Sequence, residues 1–260
     1  MILGWLLLAG VAWGQFILRV PRLERAVTMD GDISEWKEYA FSDGVWDLER
    51  LRHSPWYDPA INRLTVHGDE RGTDLEARYY IAWDETYLYL GADVTDNVND
   101  VSDPAHEAKR WYYKDAICWF IEAPRKATGK KFGVGDNAFC FVIDAARPDY
   151  GAWWRHGAPG KTYVEEPLPK DAMRYAIRRG ANGDFVLEAR VAMAPTLGVS
   201  GPDWRAPRVG DVYGLEIVHT DPDGGDYGGH FLIHGRGDDD STWGRMELTG
   251  PQAVIERRTK

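Results

Sequence analysis

Apolar and polar side chains alternate along two neighbouring segments in the C-terminal half of the chain. In residues 184–193, Phe185 and Leu187 fall on one face of an extended strand and Glu188 falls on the other. Residues 173–178 alternate in the same way, and the connection between the two segments contains an Asn-Gly pair. A period of two is typical of strands and Asn-Gly favours a tight turn, so the pattern predicts an antiparallel hairpin.

Similar short segments recur along the chain, and no long segment shows the period of an amphipathic helix. Residues 78–83 and 86–94 predict a second hairpin with its turn at Asp84-Glu85, and further strands are predicted at residues 116–122, 138–143, 212–220, 230–233 and 245–248. Many short strands separated by turn residues predict an all-β fold, an antiparallel and jelly-roll-like β-sandwich. Two long connections, residues 40–72 and 147–170, are rich in aromatic side chains, and we expect them to be ordered loops packed on the sandwich.

The N-terminal segment, residues 1–14, is apolar and carries no charged side chain. It is short for a membrane span, and Ala12 and Gly14 are small residues at the two positions that a signal peptidase reads. We therefore predict a cleaved signal peptide at residues 1–14, a single domain at residues 15–255 and a polar tail at residues 256–260. A buried N-terminal strand or helix is the alternative. Export would make the mature chain secreted or periplasmic, with no membrane anchor.

The net charge of the chain makes some classes of binding partner unfavourable. The 260 residues carry a formal net charge of −10. Such a surface repels phosphate backbones and anionic lipid, so nucleic acid and membrane surfaces are poor partners. It is compatible with neutral ligands such as sugars and with bound cations. Hydrophobic residues make up 44% of the chain, enough to build a core, and we expect a monomer.

Two cysteines, Cys118 and Cys140, stand within predicted strands, 22 positions apart. An exported protein can form a disulfide between them if the two strands are neighbours. Two small buried thiols in the core are the other interpretation, and the sequence leaves both open. No spacing of Cys and His residues fits a structural zinc site.

Four short motifs occur in order between residues 27 and 248. They are Met29-Asp30-Gly31-Asp32-Ile33-Ser34-Glu35-Trp36; Trp83-Asp84-Glu85 with Leu88-Tyr89-Leu90; Trp111 and Asp115 with Ile117-Cys118-Trp119-Phe120-Ile121; and Gly214-Leu215-Glu216-Ile217 with Trp243-Gly244-Arg245. In this order and spacing they resemble the family 9 carbohydrate-binding modules, a DOMON-like sugar-binding fold. The resemblance implies a sandwich in which exposed aromatic rings and fixed polar groups bind a sugar.

The resemblance also implies a sugar slot between two Trp rings. Trp111 occupies the place of the first ring. Trp243 is the nearest match to the second, although it fits a core position before the last strand equally well. Asp115, in the same motif as Trp111, is a further candidate for contact with sugar hydroxyls. Trp153 and Trp154, adjacent in a long loop, are the alternative sugar-facing pair, whereas the Trp residues of the first two motifs are assigned to the core.

Two positions depart from the family pattern. Cys118 stands where the family carries a carboxylate that hydrogen-bonds sugar hydroxyls, and Cys140 stands where the sugar-binding members carry a basic residue. If both correspondences hold, the polar floor of the slot is replaced by two thiols or a disulfide. This departure favours the alternative of a structural or protein-interaction domain that has lost the sugar slot.

Clusters of carboxylates indicate a structural calcium ion, which the resemblance implies near the opening Asp-Gly motif. Calcium binds six to eight oxygen ligands, and the candidate ligands are Asp30, Asp32, Asp221 and Asp223. Their spacing does not fit an EF-hand loop. Because Asp and Gly are also ordinary turn residues, turn formation is the other interpretation. No organic cofactor is expected.

The chain carries none of the common catalytic sequence motifs, neither G-x-S-x-G nor HExxH, a P-loop or G-x-G-x-x-G. We therefore expect a binding module rather than an enzyme. The resemblance implies an exported protein that binds cellulose- or xylan-type glycans, or their chain ends, noncovalently and assists glycoside hydrolases in polysaccharide breakdown. A haem-binding domain of the same fold is a further alternative.

Overall fold

The computed structural model describes residues 17–58, 75–96, 109–129, 132–143, 151–180, 183–222 and 229–252. Within these residues the chain folds into two β-sheets that enclose a hydrophobic core. The predicted all-β sandwich is confirmed. The segments predicted as a signal peptide and a polar tail lie outside the described residues, so they stay predictions. None of the helices in the described ranges is long and apolar enough to cross a membrane.

Thirteen strands and two short α-helices form the described part of the fold. The strands are β1 (Ile17–Pro21), β2 (Val45–Asp47), β3 (Leu75–Trp83), β4 (Tyr87–Asp96), β5 (Ala116–Glu122), β6 (Asp136–Val142), β7 (Ala152–Ala158), β8 (Lys161–Pro167), β9 (Met173–Arg179), β10 (Phe185–Ala192), β11 (Val212–Thr220), β12 (His230–Leu232) and β13 (Gly244–Thr249). The helices are α1 (Leu48–Arg52) and α2 (Leu197–Ser200).

The strands divide into a larger and a smaller sheet. The larger sheet has the order β1-β13-β11-β5-β6-β7-β8, with β12 also paired to β11. Its neighbouring strands are antiparallel except β1 and β13, which run parallel. The smaller sheet has the order β2-β3-β4-β10-β9 and is antiparallel throughout.

Both hairpins expected from the alternation are present. Strands β9 and β10 pair with Val186 opposite Arg178, and the Gly180 amide donates to the Asp184 carbonyl at 2.8 Å at the turn. Strands β3 and β4 pair along their whole length. Their turn is closed by the Asp84 carboxylate, which accepts from the amides of Thr86 and Tyr87 at 2.7 Å each.

Part of the segment predicted as a long loop is a hairpin instead. Residues 152–158 and 161–167 form β7 and β8, which extend the larger sheet at its edge. The period of two is present in β7 but is obscured in the sequence, because two adjacent Trp residues interrupt the contrast between apolar and polar positions. The other predicted loop contains β2 and α1, and its residues 59–72 lie outside the described ranges.

The opening Asp-Gly motif is fastened to the smaller sheet by one carboxylate. The Trp36 indole is fully buried, and its Nε1 donates to Glu188 of β10 at 2.7 Å. The other oxygen of Glu188 accepts from the amides of Asp30 and Gly31 at 3.0 and 2.9 Å. Trp83 is also buried, with its Nε1 donating to the Val20 carbonyl at 3.1 Å. The core positions expected for the two Trp residues are therefore confirmed.

We expect Glu188→Ala to lower the free energy of unfolding by about 3 kcal/mol, because three buried donors lose their acceptor at about 1 kcal/mol or more each. Urea denaturation measures the change. Glu76→Ala, at an exposed position of β3 in the same sheet, is the control and should change stability by less than about 0.5 kcal/mol. Equal losses of unfolding free energy in the two variants would contradict the role of Glu188 in holding the opening motif.

A second buried carboxylate group holds the loop that follows β5. Glu122, Asp136 and Asp240 place oxygen atoms within 4.8 Å of one another. Asp240 accepts from the amides of Thr128 and Gly129 at 3.0 and 2.6 Å. Glu122 accepts from loop amides in the same way, and Asp136 accepts from the Gly133 amide at 2.6 Å. The Arg125 guanidinium lies 3.9 Å from Glu122, so the group contains one cation for three carboxylates.

Burial, reinforced by the neighbouring carboxylates, raises the pKa of Asp136 to about 7 from an ordinary value of 3.8. The native state therefore keeps this proton in a pH range in which the unfolded chain has lost it. Its contribution to stability falls as pH rises between those two values and is constant above the folded pKa.

We expect Asp136→Asn, which cannot ionise, to gain stability relative to the wild type as pH rises from about 5 to about 8. Thermal unfolding across this range measures the difference between the two melting temperatures at each pH. Asp171→Asn, at an exposed position, should follow the wild-type profile. A difference between Asp136→Asn and wild type that is independent of pH would disprove the assignment.

Candidate functional site

The face of the larger sheet that points away from the smaller sheet carries a second apolar layer. On β5, Ile117, Trp119 and Ile121 belong to the core between the sheets. The alternate residues Cys118 and Phe120 belong to a separate cluster on the opposite face. This split follows from the alternation of side chains along a strand. Strand β5 is therefore buried on both faces.

A cleft of about 610 Å³ opens above this outer layer. Its volume lies in the range of small-molecule sites. Apolar residues of three adjacent strands, Phe120, Val218 and Leu232, contribute to its lining. The other lining residues within the described ranges are Pro55, Trp56, Tyr57, Asp58, Trp111, Tyr112, Arg155, His230, Arg236, Gly237 and Asp238. Aromatic rings therefore stand beside charged and hydrogen-bonding groups.

Trp111, which the resemblance assigns to the sugar slot, lines the cleft, but only 5% of it is exposed. It begins a single 3-10 turn, Trp111–Tyr113, before β5. Its ring stacks on His230 with centroids 6.4 Å apart and meets Tyr112 edge-on at 5.5 Å. These contacts hold the indole in the wall of the cleft and leave a small part of it accessible.

Trp243 occupies the core position that the sequence left as its alternative. Its side chain is fully buried and packs against Phe120 with centroids 5.7 Å apart. Its Nε1 donates to the Arg236 carbonyl at 2.7 Å. Trp243 therefore supports the bend that carries Arg236 and does not present a ring to the cleft.

Trp153 and Trp154 do not form a shared platform, because both belong to β7 and so face opposite sides of the sheet. Trp154 is buried in the core between the sheets, where its Nε1 donates to Asn137 at 3.0 Å. Trp153 packs against the outer layer, directly opposite Cys140 on β6. Neither residue lines the cleft.

The two cysteines are joined in a disulfide. Cys118 and Cys140 are directly opposed in the β5–β6 pairing, and both are buried in the outer layer. They occupy the positions at which the resemblance implies a carboxylate and a base. The part of the sheet beneath the cleft is therefore apolar at these positions, and the polar groups of the cleft come from its walls.

The structure adds cleft residues that the sequence did not indicate. Trp56 and Tyr57 follow α1, and both are half-buried. Arg155 reaches the cleft from β7, and His230 from β12. The adjacent aromatics after Pro55 were a visible signal in the sequence. Arg155 carried none, since only the pairing of β7 with β6 brings it to this face.

His230 contributes a neutral polar group to the cleft wall. Burial lowers its pKa from 6.5, so the ring is uncharged at neutral pH. Its Nε2 lies 2.9 Å from the Tyr112 carbonyl. A carbonyl only accepts hydrogen bonds, so Nε2 carries the proton of the neutral ring.

Asp115 and Asp221 meet in a buried group with Asp96, away from the cleft lining. The three residues come from the end of β4, the start of β5 and the end of β11, and their oxygen atoms lie within 4.8 Å of one another. The sequence had predicted Asp115 as a sugar contact and Asp221 as a metal ligand. Three carboxylates on three strand ends form a set of hard oxygen donors of the kind that binds calcium.

Asp30 and Asp32 make turn contacts. The Asp30 carboxylate accepts from the Asp32 amide at 2.9 Å, and Asp32 accepts from the Ser34 amide at 3.0 Å. Neither belongs to a group of three clustered carboxylate, His or Cys ligands within the described ranges. The turn interpretation therefore accounts for both residues. Asp223 lies outside the described residues.

Comparison with known proteins identifies the fold and the family. Two solved carbohydrate-binding modules of family 9 from Caldicellulosiruptor kristjanssonii are similar in structure. One, in complex with cellotriose, is 12% identical, with a TM-score of 0.56 over 94% of this chain and 100% of the other. The second, in complex with glucose, is 14% identical, with a TM-score of 0.56 over 92% and 99%.

None of the curated proteins compared with the chain matches it. At identities this low the solved structures establish the fold alone. The family is established by a model described as carbohydrate family 9 binding domain-like, which matches residues 54–251. The match covers most of the chain, and the chain belongs to this family of carbohydrate family 9 binding-like domains.

Proposed function

We propose that this chain binds a saccharide noncovalently in the cleft on the outer face of the larger sheet. The observation that carries the proposal is the combination of two Trp side chains, Trp56 and Trp111, with several polar side chains around one cleft. Sugars present C–H faces that pack on aromatic rings and hydroxyls that need fixed hydrogen-bonding partners. The cleft provides both kinds of contact.

Trp56 offers the larger accessible ring. It is half-buried, whereas Trp111 is almost completely covered. In the proposed mode of binding, a sugar ring packs on Trp56 and meets the accessible edge of Trp111. The sugar hydroxyls then form hydrogen bonds with the polar side chains of the cleft walls, because the disulfide beneath the cleft supplies no charged group.

The similar modules in complex with cellotriose and with glucose support a glycan of the cellulose or xylan type, or its chain end, as ligand. We further propose that the chain acts as an accessory to glycoside hydrolases in polysaccharide breakdown and works as a monomer. These points rest on membership of the family and on the proposed cleft.

Export of the chain is part of the same proposal. The apolar segment at residues 1–14 carries the pattern of a signal peptide. The Cys118–Cys140 disulfide supports this location, since disulfides persist outside the reducing cytoplasm.

A protein-interaction domain is the second candidate function, and one observation favours it. The disulfide occupies the two positions at which the resemblance implies polar sugar-binding groups. A cleft that lacks this polar floor fits a family member in which the fold has been kept and sugar binding has been lost.

We expect Trp56→Ala to weaken saccharide binding by about tenfold or more, since removal of a central aromatic contact commonly costs more than about 1 kcal/mol. Titration calorimetry with cellotriose, xylotriose and glucose measures the change. The half-buried position of Trp56 should leave the melting temperature close to that of the wild type.

Tyr39→Ala is the control, because Tyr39 packs with a separate cluster at the opening Asp-Gly motif and should bind as the wild type does. Failure of the folded wild-type protein to bind any of these sugars would exclude them as ligands and favour the interaction domain. Unchanged binding by Trp56→Ala would exclude this cleft as the site.

We also propose that a structural calcium ion binds to Asp96, Asp115 and Asp221. Three buried carboxylates within 4.8 Å repel one another, and a divalent cation offsets that repulsion. When bound, the ion would link the ends of three strands near the turn that carries Trp111.

We expect calcium at about 100 times its dissociation constant to stabilise the protein by about 2.7 kcal/mol, because it binds the folded state only. Melting temperatures in calcium and in a chelator measure the effect. Asp115→Asn should abolish the difference, and Asp32→Asn, which alters the turn alone, should retain it. Equal melting temperatures of the wild type in calcium and in the chelator would rule out the site.

A further inference from the structure

Among the residues that the structure describes, two arginines line the cleft, and their surroundings differ. Arg155 lies on β7, and Arg236 lies in the bend that follows β12. A guanidinium presents a planar set of N–H donors that matches a carboxylate. Whether each arginine is available to a ligand depends on the acids already around it.

Arg155 forms an ion pair with an acidic side chain of the same sheet. Its Nε and Nη2 donate to the same Glu165 oxygen on β8 at 2.9 and 2.7 Å. The guanidinium also lies 4.5 Å from the centroid of the Tyr163 ring and 6.0 Å from that of Trp111. Its charge is balanced by Glu165, and its position is fixed beside the aromatic wall.

Arg236 has a fixed backbone and an exposed side chain. Its amide donates to the Thr242 hydroxyl at 2.7 Å, and its carbonyl accepts from Trp243 at 2.7 Å. Upstream, the buried Glu216 carboxylate accepts from the Ile233 and His234 amides at 2.8 and 2.7 Å. The guanidinium makes no ion pair with any acid in the described ranges, so its donors are open to a ligand.

The other titratable side chains of the described cleft lining form no ion pair with Arg236. His230 is neutral because burial lowers its pKa. Asp58 and Asp238 also line the cleft, and neither forms an ion pair with Arg236 among the described residues. The chain as a whole is acidic, at −10, but charges more than about 8 Å away are largely screened at physiological salt. Arg236 is therefore a cation of the cleft wall without a carboxylate of the described residues at ion-pair distance, and an anionic group of a ligand can supply that partner.

We propose that the cleft prefers an acidic saccharide, a glycan that carries a uronate, whose carboxylate binds the guanidinium of Arg236. This inference rests on the proposed saccharide-binding function. The sugar ring packs against Trp56, and Arg236 binds the carboxylate through paired N–H donors.

The test is calorimetric titration with matched ligands, a neutral xylo-oligosaccharide and the same oligosaccharide bearing one glucuronate branch. We expect the acidic ligand to bind about tenfold more tightly at low salt, which corresponds to about 1.4 kcal/mol. This preference should shrink in high salt. Arg236→Gln should remove this preference, whereas Arg236→Lys should retain part of it.

Two further variants make the result specific. Asp238→Asn removes a negative charge from the cleft and should strengthen binding of the acidic ligand, the opposite of the effect of Arg236→Gln. Arg208→Gln, at an exposed position outside the cleft lining, is the matched control and should leave both affinities unchanged. All of these positions are exposed, so melting temperatures should stay near the wild-type value.

Equal affinity of the wild type for the neutral and acidic ligands would overturn the inference and leave the proposed function standing. An acidic preference that survives in Arg236→Gln would also overturn it, because the carboxylate would then bind elsewhere. Failure of the wild type to bind either ligand would overturn both the inference and the proposed saccharide binding.

Discussion

The burial of β5 and β6 on both faces is the constraint on which the rest of the structure depends. All residues of these two strands are buried. One set of alternating side chains fills the space between the sheets, and the other set forms the layer beneath the cleft. The core and the layer beneath the cleft therefore share the same two strands. The orientation of Trp119 in the core requires that Phe120 faces the cleft, and the reverse is equally true.

The parts of the fold that the sequence predicted are those specified by neighbouring residues. Hairpins β3–β4 and β9–β10 follow from alternation and from turn residues, which act over a few positions. Alternation does not identify the partner of a distant strand. The hydrogen bond from Trp36 to Glu188 joins residues 152 positions apart in the sequence. The sequence predicted that Trp36 lies in the core, but it did not indicate Glu188 as the acceptor. Strand β7 was missed because adjacent Trp residues conceal the contrast between its faces, and β8 was missed because it is largely exposed and has no alternation of apolar and polar residues.

The sequence predicted a residue of the candidate site only where a motif placed that residue at a defined position relative to a strand. Trp111 belongs to such a motif and lines the cleft. Trp243 precedes a strand, and that position alone cannot distinguish a buried indole from an exposed one. Asp115 and Asp221 are over a hundred positions apart in sequence, and only the convergence of strand ends brings them together. Trp56 lies in a segment without alternation of apolar and polar residues, so the sequence did not predict where its side chain lies in the fold.

The disulfide has a consequence for strand pairing. In a strand buried on one face, a slip of one residue exposes apolar side chains, and this penalty fixes the register. Strands β5 and β6 are covered on both sides, so burial alone penalises such a slip only weakly. Cys118 and Cys140 are directly opposed, and their covalent bond permits one alignment. A slipped β5 would turn Phe120 inward and present a different set of side chains to the cleft. The bond thus selects the surface that a ligand meets, although neither sulfur lines the cleft.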